Sequence, residues 1–232
     1  MGRLSTLPLS QAEGDQSAGF FTPLLSPSLP EVTYHIYEER FLRYPHMWIY
    51  FHIKDSTKTQ TLYTLSSFKR NKMQVSVCSL ARAAEYHSMC AHIIVTPVRP
   101  RQFRSEGCMV GRPFSITTST GTTIKVEPDR LEKMSWTPRR FSYGGRRFVW
   151  REMKGSTVEA LYEVKKEWAD PNSKTGKRLD ETFERPLMWG EGKIAMHKIC
   201  TIHMVGGLDQ LFREFLLADL VTQRLIGLFG HG

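Results

Sequence analysis

The sequence predicts a mainly β fold in which a rolled sheet encloses one hydrophobic C-terminal helix. Three observations carry this. Short β-rich runs separated by turn residues fill most of the chain between Val32 and Val205. Residues 208–229 then read as a single long helix whose apolar positions, from Leu208 and Leu211 through Phe215 and Leu220 to Leu228 and Phe229, wind around more than one face. A surface helix needs only an apolar stripe, so this one must be covered on most sides, and nothing but strands precedes it to do the covering.

The elements follow in order. Residues 1–30 collect Pro8, Pro23, Pro27 and Pro30 among Ser, Gln and Gly, a composition that buries too little apolar surface to offset chain entropy. They are expected to be a disordered leader, with one domain at 31–232 whose central helix is 208–229. Strands are expected at 32–37, 47–53, 61–65, 73–77 and 91–95. Ser79 can cap a short helix over 79–87 through Leu80, Ala83 and Ala84. A stretch rich in Arg, Pro and Gly, 98–113, joins the first strands to the second series.

In that series Phe114, Ile116 and Thr118 alternate with polar neighbours, turn at Thr120-Gly121, and return through Ile124 and Val126, which makes a hairpin. A second hairpin follows at Gly144-Gly145, a two-residue turn that pairs Phe141 with Phe148 and Arg139 with Trp150, so that Phe141, Tyr143, Phe148 and Trp150 share a face. A three-residue connection at Lys154-Gly155-Ser156 sets Trp150 opposite Ala160 and Phe148 opposite Tyr162. On the other face it sets Arg151 opposite Glu159 and Arg147 opposite Glu163, a ladder of opposite charges. A two-residue loop would oppose Trp150 to Glu159 and mix the faces. Residues 170–184 read as an exposed polar loop, followed by strands at 187–189, 193–197 and 199–205 before Gly206-Gly207 breaks the chain ahead of the helix.

Composition narrows the function classes. The chain has 232 residues, 41% of them hydrophobic, enough for one large all-β domain. Its 32 Lys and Arg against 23 Asp and Glu give a formal charge of +9, which favours phosphate-bearing partners: an anionic membrane face or nucleic acid. The excess belongs to the folded part, because the leader holds only Arg3 against Glu13 and Asp15. Arg213, Glu214, Asp219 and Arg224 interrupt the terminal helix, which argues against a bilayer span of about 20 nearly uncharged residues. Cys78, Cys90, Cys108 and Cys200 are too sparse and too widely spaced for a disulfide scaffold. Together with the lack of an N-x-S/T sequon and of an apolar run in 1–21, they point to reduced thiols and a cytoplasmic setting, with a peripheral membrane face or the nucleus as alternatives.

Motifs for catalysis are missing. There is no G-x-S-x-G, no G-x-G-x-x-G after a strand, and K-T-G-K-R at 174–178 lacks the upstream glycine of a phosphate loop. No catalytic residue, metal ligand or cofactor is therefore assigned. His197, Cys200 and His203 recur every third residue, but alternation along a strand turns Cys200 away from the two histidines. His87, Cys90 and His92 lack a fourth ligand. The candidates for an anionic ligand are three loop clusters: Lys69, Arg70 and Lys72; Arg99, Arg101 and Arg104; Lys174, Lys177 and Arg178. Phe68 and Phe103 accompany the first two, a mixture suited to a lipid interface or to stacking on a base. Met1-Gly2-Arg3-Leu4-Ser5-Thr6 fits the N-myristoylation pattern and makes Gly2 a lipidation candidate, although one myristoyl chain holds a membrane only marginally and needs a basic patch beside it.

R-R-F-V-W at 146–150, L-Y-E-V at 161–164, G-K-I-A-M at 192–196 and the closing helix 208–229 occur in an order that resembles the tubby C-terminal-like superfamily, in particular its fungal and LURP-one-related branches. The resemblance implies a closed antiparallel barrel of about twelve strands around the helix, and a non-enzymatic module associated with phosphoinositide-rich membranes, some members acting in the nucleus. The related phospholipid scramblases associate with membranes and calcium, but no run of spaced Asp and Asn here matches a calcium loop. No lipid-contacting residue of the superfamily aligns with a named position, so none is carried over. The expected function is a non-catalytic module docking on anionic phospholipid headgroups through its basic loops. A scaffold or regulatory module with a protein partner is the alternative, and nucleic-acid binding a third.

Overall fold

The computed structural model describes residues 31–43, 46–69, 77–83, 88–95, 114–128, 139–153, 158–169, 178–182, 185–190 and 199–230. The leader 1–30, the stretch 98–113 and the expected strand 193–197 lie outside the described residues. Among the described residues the chain forms β1 (Glu31–Arg43), β2 (His46–Lys54), β3 (Thr61–Lys69), β4 (Val77–Arg82), β5 (Ser88–Val95), β6 (Phe114–Thr118), β7 (Thr123–Pro128), β8 (Arg139–Tyr143), β9 (Arg146–Glu152), β10 (Glu159–Ala169), β11 (Arg178–Thr182), β12 (Met188–Gly190), β13 (Ile199–Val205) and α1 (Gln210–Gly230).

The strands make one antiparallel sheet in the order β11-β10-β12-β13-β1-β2-β3-β4-β5-β6-β7-β8-β9, and β9 pairs in addition with β10. Burial alternates along most of the strands, while β9 buries Phe148, Val149 and Trp150 in succession. Tyr34 and Ile36 on β1, Ile49, Phe51 and Ile53 on β2, Leu65 on β3, Leu80 on β4 and Ile93 on β5 all enter one core with Phe212, Phe215, Leu216, Leu220 and Val221 of α1. Every residue from Glu214 to Thr222 is buried, more than two turns without an exposed face. Asp209 caps the helix, its Oδ1 accepting from the Phe212 N–H at 3.1 Å. Gly207, at φ 76°, makes the reversal that precedes it.

The Gly144-Gly145 hairpin has the expected register, Phe141 opposite Phe148, and the Thr120-Gly121 hairpin also forms, with Phe114 opposite Val126 and Ile116 opposite Ile124. The rings of Phe141 and Phe148 stack at 5.1 Å and meet Phe215 and Phe212 respectively at 4.8 and 5.2 Å. Tyr143 and Trp150 lie in the same core.

Three expectations are corrected. Residues 77–82 are strand, not helix: Leu80 opposes Leu65 on one side and Ala91 on the other, burying Cys78 and Leu80 between β3 and β5. Two neighbouring strands supply backbone partners that local helix propensity cannot match. Within the expected loop 170–184, residues 178–182 form β11, which pairs with β10 from Trp168↔Leu179 to Ala169↔Arg178.

The β9–β10 register is also one residue away from the expected one. Trp150 opposes Leu161, Arg151 opposes Ala160, and Glu163 opposes Phe148. The connection is one residue longer than expected, residues 154–157, bounded by the Met153 N–H donating to the Val158 carbonyl at 2.7 Å. The gain is Trp150 opposite Leu161 inside the core; Arg151 and Glu159, and Arg147 and Glu163, are not directly opposite one another as expected. Glu163 is buried instead, and its carboxylate takes both donors of Arg146.

Candidate functional site

Three of the four charged residues that interrupt the helix, Glu214, Asp219 and Arg224, are fixed to the sheet, while Arg213 donates to the Leu208 carbonyl. Glu214, 1% exposed, accepts from Arg82 of β4 through Nε at 2.6 Å and Nη2 at 2.9 Å, and from Gln210 at 3.2 Å. Asp219, fully buried, accepts from the Trp150 indole N–H at 2.7 Å and from Gln223 at 3.3 Å. Burial raises its carboxyl to about 6, held from going further by the Trp150 hydrogen bond and the positive charge of Arg139. Arg224 donates to Glu38 of β1 at 3.4 Å and lies over the Phe51 ring at 5.7 Å; burial pulls its guanidinium below the usual range, and Glu38 opposes that shift. Sealed from water and mutually bonded, these groups position the helix.

They also give the molecule a direction. Arg82, the last residue of β4, reaches the first turns of α1, whereas Glu38 and Phe51 reach Arg224 near its finish. β1 begins with Glu31 opposite Val205, beside the turn into α1, and ends at Arg43 past the level of Arg224. Since neighbouring strands are antiparallel, successive connections alternate between these two ends.

The alternation sorts the charge. The segments that join in sequence the strand ends at the level where α1 finishes are 44–45, 70–76, 96–113, 129–138, 154–157 and 191–198, which lie outside the described residues and hold in sequence eleven Lys and Arg against four Asp and Glu. Those at the end where α1 starts are 55–60, 83–87, 119–122, 144–145, 170–177 and 206–209, with three against four. In sequence the first set of joining segments thus carries a net +7 and the second a net −1.

The sequence-predicted residues divide accordingly. Lys69 closes β3 opposite Met47 at the finishing end, and Arg178 opens β11 opposite Ala169 at the starting end. Arg70, Lys72, Arg99, Arg101, Arg104, Lys174 and Lys177, like Gly2, lie outside the described residues. Of the strand ends that flank these clusters in sequence, Lys69 with Val77 and Val95 with Phe114 lie at the finishing end, and Ala169 with Arg178 at the starting end.

Sequence reasoning missed an aromatic pair beside the two basic clusters. Phe41 is 50% exposed and Trp48 37%, and they are the exposed large hydrophobic residues among the described ones. They are cross-strand partners on β1 and β2, four positions beyond the last pairing of β1 with β13 at Tyr37. Phe41 meets Tyr50 edge-on at 5.7 Å. Alternation was the available signal: Tyr34 and Ile36 face the core, as do Ile49 and Phe51, which puts Phe41 and Trp48 on the opposite face.

Metal and membrane-span readings gain nothing here. Cys200 is in the core, while His203 stacks on Trp189 at 5.3 Å. Among the described residues no group of three or more His, Cys, Asp or Glu is placed to hold a metal ion, and no helix is long and apolar enough to cross a membrane. The chain matches no protein-family model, no curated protein and no solved structure.

Proposed function

We propose that this chain is a non-catalytic, tubby-like module whose sheet closes around α1 and which docks on anionic, phosphoinositide-containing membrane surfaces with the end where α1 finishes. The observation that carries the docking is the charge division: eleven basic against four acidic residues in the connections of one end, three against four in those of the other. The 21 residues of α1 separate the two ends by about 30 Å, several Debye lengths of about 8 Å at physiological salt, so the near-neutral end cannot offset the positive one. Basic residues near an anionic surface contribute about 1 kcal/mol each, which makes an excess of this size sufficient for reversible binding.

Closure is supported by β10, which pairs with β9 through Trp150↔Leu161 and with β12 through Leu161↔Met188. It is supported independently by the helix. Five residues of α-helix turn about 140° beyond a full circle. Glu214, Asp219 and Arg224 are five apart, and they meet β4, then β8 and β9, then β1. In a ring of twelve strands, about 30° each, those partners are also four to five strands apart at every step.

Liposome flotation tests the function. Vesicles with phosphoinositide should retain the protein at physiological salt and neutral vesicles should not. Reversing Lys69, Arg70 and Lys72 with Arg99, Arg101 and Arg104 to Glu should abolish retention, whereas reversing Lys174, Lys177 and Arg178 should leave most of it. Equal losses from the two sets, or retention indifferent to lipid charge, would remove the proposal. Nucleic-acid probes at matched salt distinguish lipid docking from general polyanion capture.

A further inference from the structure

We propose that Phe41 and Trp48 are the residues that enter the bilayer: an aromatic anchor on the rim of the sheet, reaching below the headgroups while the basic connections hold the surface. This rests on the membrane reading and adds a second, apolar component to it.

The two exposed large hydrophobic residues among the described ones are not scattered; they are register partners. Isolated apolar side chains on a surface need no explanation, but a contiguous pair at the tip of a hairpin does. Among the described residues β1 pairs with β13 as far as Tyr37↔Ile199 and with β2 as far as Arg43↔His46, and Phe41 lies in the outer part of that hairpin, 50% exposed. The same register row runs on across the sheet: Trp48 opposes Phe68, Phe68 opposes Val77, and Val77 opposes Ile94. Five consecutive strands therefore place an apolar residue at one level, immediately before the basic connections that follow β3 and β5.

An exposed aromatic pair in a chain of this positive charge fits the interface of an anionic bilayer, where amphipathic rings sit at headgroup level and Lys and Arg meet the phosphates. Trp48 carries an indole N–H that can remain among the headgroups, while the Phe41 ring, with no polar atom, goes deeper. A second copy of the chain fits less well, because it would bring a like-charged rim against this one.

Salt separates the anchor from electrostatic docking. Charge attraction is largely screened at about 0.5 M NaCl, whereas apolar insertion is not weakened there. The wild-type chain should stay on phosphatidylserine-containing vesicles at that salt, and brominated acyl chains should quench part of its tryptophan fluorescence, a part absent from Trp48→Phe. The double variant Phe41→Ala/Trp48→Ala should bind at about 0.1 M NaCl yet partition about tenfold or more weakly at about 0.5 M. Wild-type binding that vanishes at high salt without quenching would overturn the anchor and leave the docking standing. No binding at low salt would remove both. A wild-type dimer that this double variant makes monomeric would assign the pair to a contact between copies and overturn the anchor. The quenching measurement needs only the wild-type chain, so a variant that failed to fold would not protect the proposal.

Discussion

The two ends of α1 are built to different specifications. Where the helix starts, the strands are joined by short connections such as Gly144-Gly145, whose residues take φ of 55° and 73°, and the connecting residues are nearly balanced in charge. The ionic contacts there are tight: Arg82 grips Glu214 with two hydrogen bonds, and Arg146 takes both oxygens of Glu163. Where the helix finishes, an eighteen-residue connection joins β5 to β6, net charge accumulates, and an aromatic pair stands in water. The contact that α1 makes there is loose, with Arg224 and Glu38 at 3.4 Å and Arg224 Nε and Nη1 without partners among the described residues, although Glu38 is also held closely by Arg40. Opposite ends of one helix thus divide the work, the first fixing the fold and the second presenting a surface.

The comparison breaks most easily at the starting end. Arg82→Met leaves Glu214 as a buried carboxylate to which, among the described residues, Gln210 alone still donates. Removing one partner of a buried pair costs about 3–5 kcal/mol, and since Arg82 is 22% exposed the lower part of that range is expected. Urea denaturation measures it. A loss under about 1 kcal/mol would mean that the tight pair contributes no more than an exposed one.

Much of this division was readable in the sequence. The Gly-Gly and Thr-Gly hairpins, the wrapped helix and the inward aromatic faces all follow from local turn chemistry and from period two or 3.6. The end of the sheet to which each basic cluster belongs also follows from counting strands, because connections in an antiparallel meander alternate ends. What local reasoning could not supply was partner choice. Ser79, Leu80 and Ala83 have helical spacing, yet β3 and β5 flank them and make them strand. Opposite charges on β9 and β10 suggested an exposed ladder, but the core preferred Trp150 against Leu161 and turned Glu163 inward to Arg146. Likewise, Glu214, Asp219 and Arg224 look like interruptions of an apolar helix until the residues they bond, far away in sequence, are known.

Halfway along the helix, Asp219 sharpens the comparison through pH. Its folded carboxyl sits at about 6 against an ordinary 3.8, because burial disfavours the charged form by more than Trp150, Arg139 and Gln223 restore. With the folded value the higher one, the unfolded chain ionises first as pH rises. Stability is therefore undiminished below about pH 4, falls between about pH 4 and 6, and keeps a constant deficit above that, on the order of 3 kcal/mol. Asp219→Asn retains an oxygen for the Trp150 N–H and cannot ionise. Its stability relative to the wild type should rise between pH 4 and 6.5 by about that amount in paired urea titrations. A flat difference would mean that Asp219 titrates as an exposed carboxylate does, and that the helix is less tightly enclosed at its middle.

The smallest effect is expected at the finishing end, and its sign is informative. Arg224 is 1% exposed, burial pulls its guanidinium below the usual range, and two of its three nitrogens have no acceptor. Each unmet buried donor costs free energy that the 3.4 Å contact with Glu38 recovers poorly. Arg224→Met keeps the length of the side chain and its packing over Phe51 while removing those donors, and Glu38 retains Arg40. Replacing a buried ionic group by an apolar one of similar volume is often neutral or stabilising, so a change within about 1 kcal/mol of zero is expected, in contrast to Arg82→Met. If Arg224→Met instead costs as much as Arg82→Met, the two ends hold the helix equally, and the looser contact would have to be tightened by water bridging Nε and Nη1 to the surrounding carbonyls.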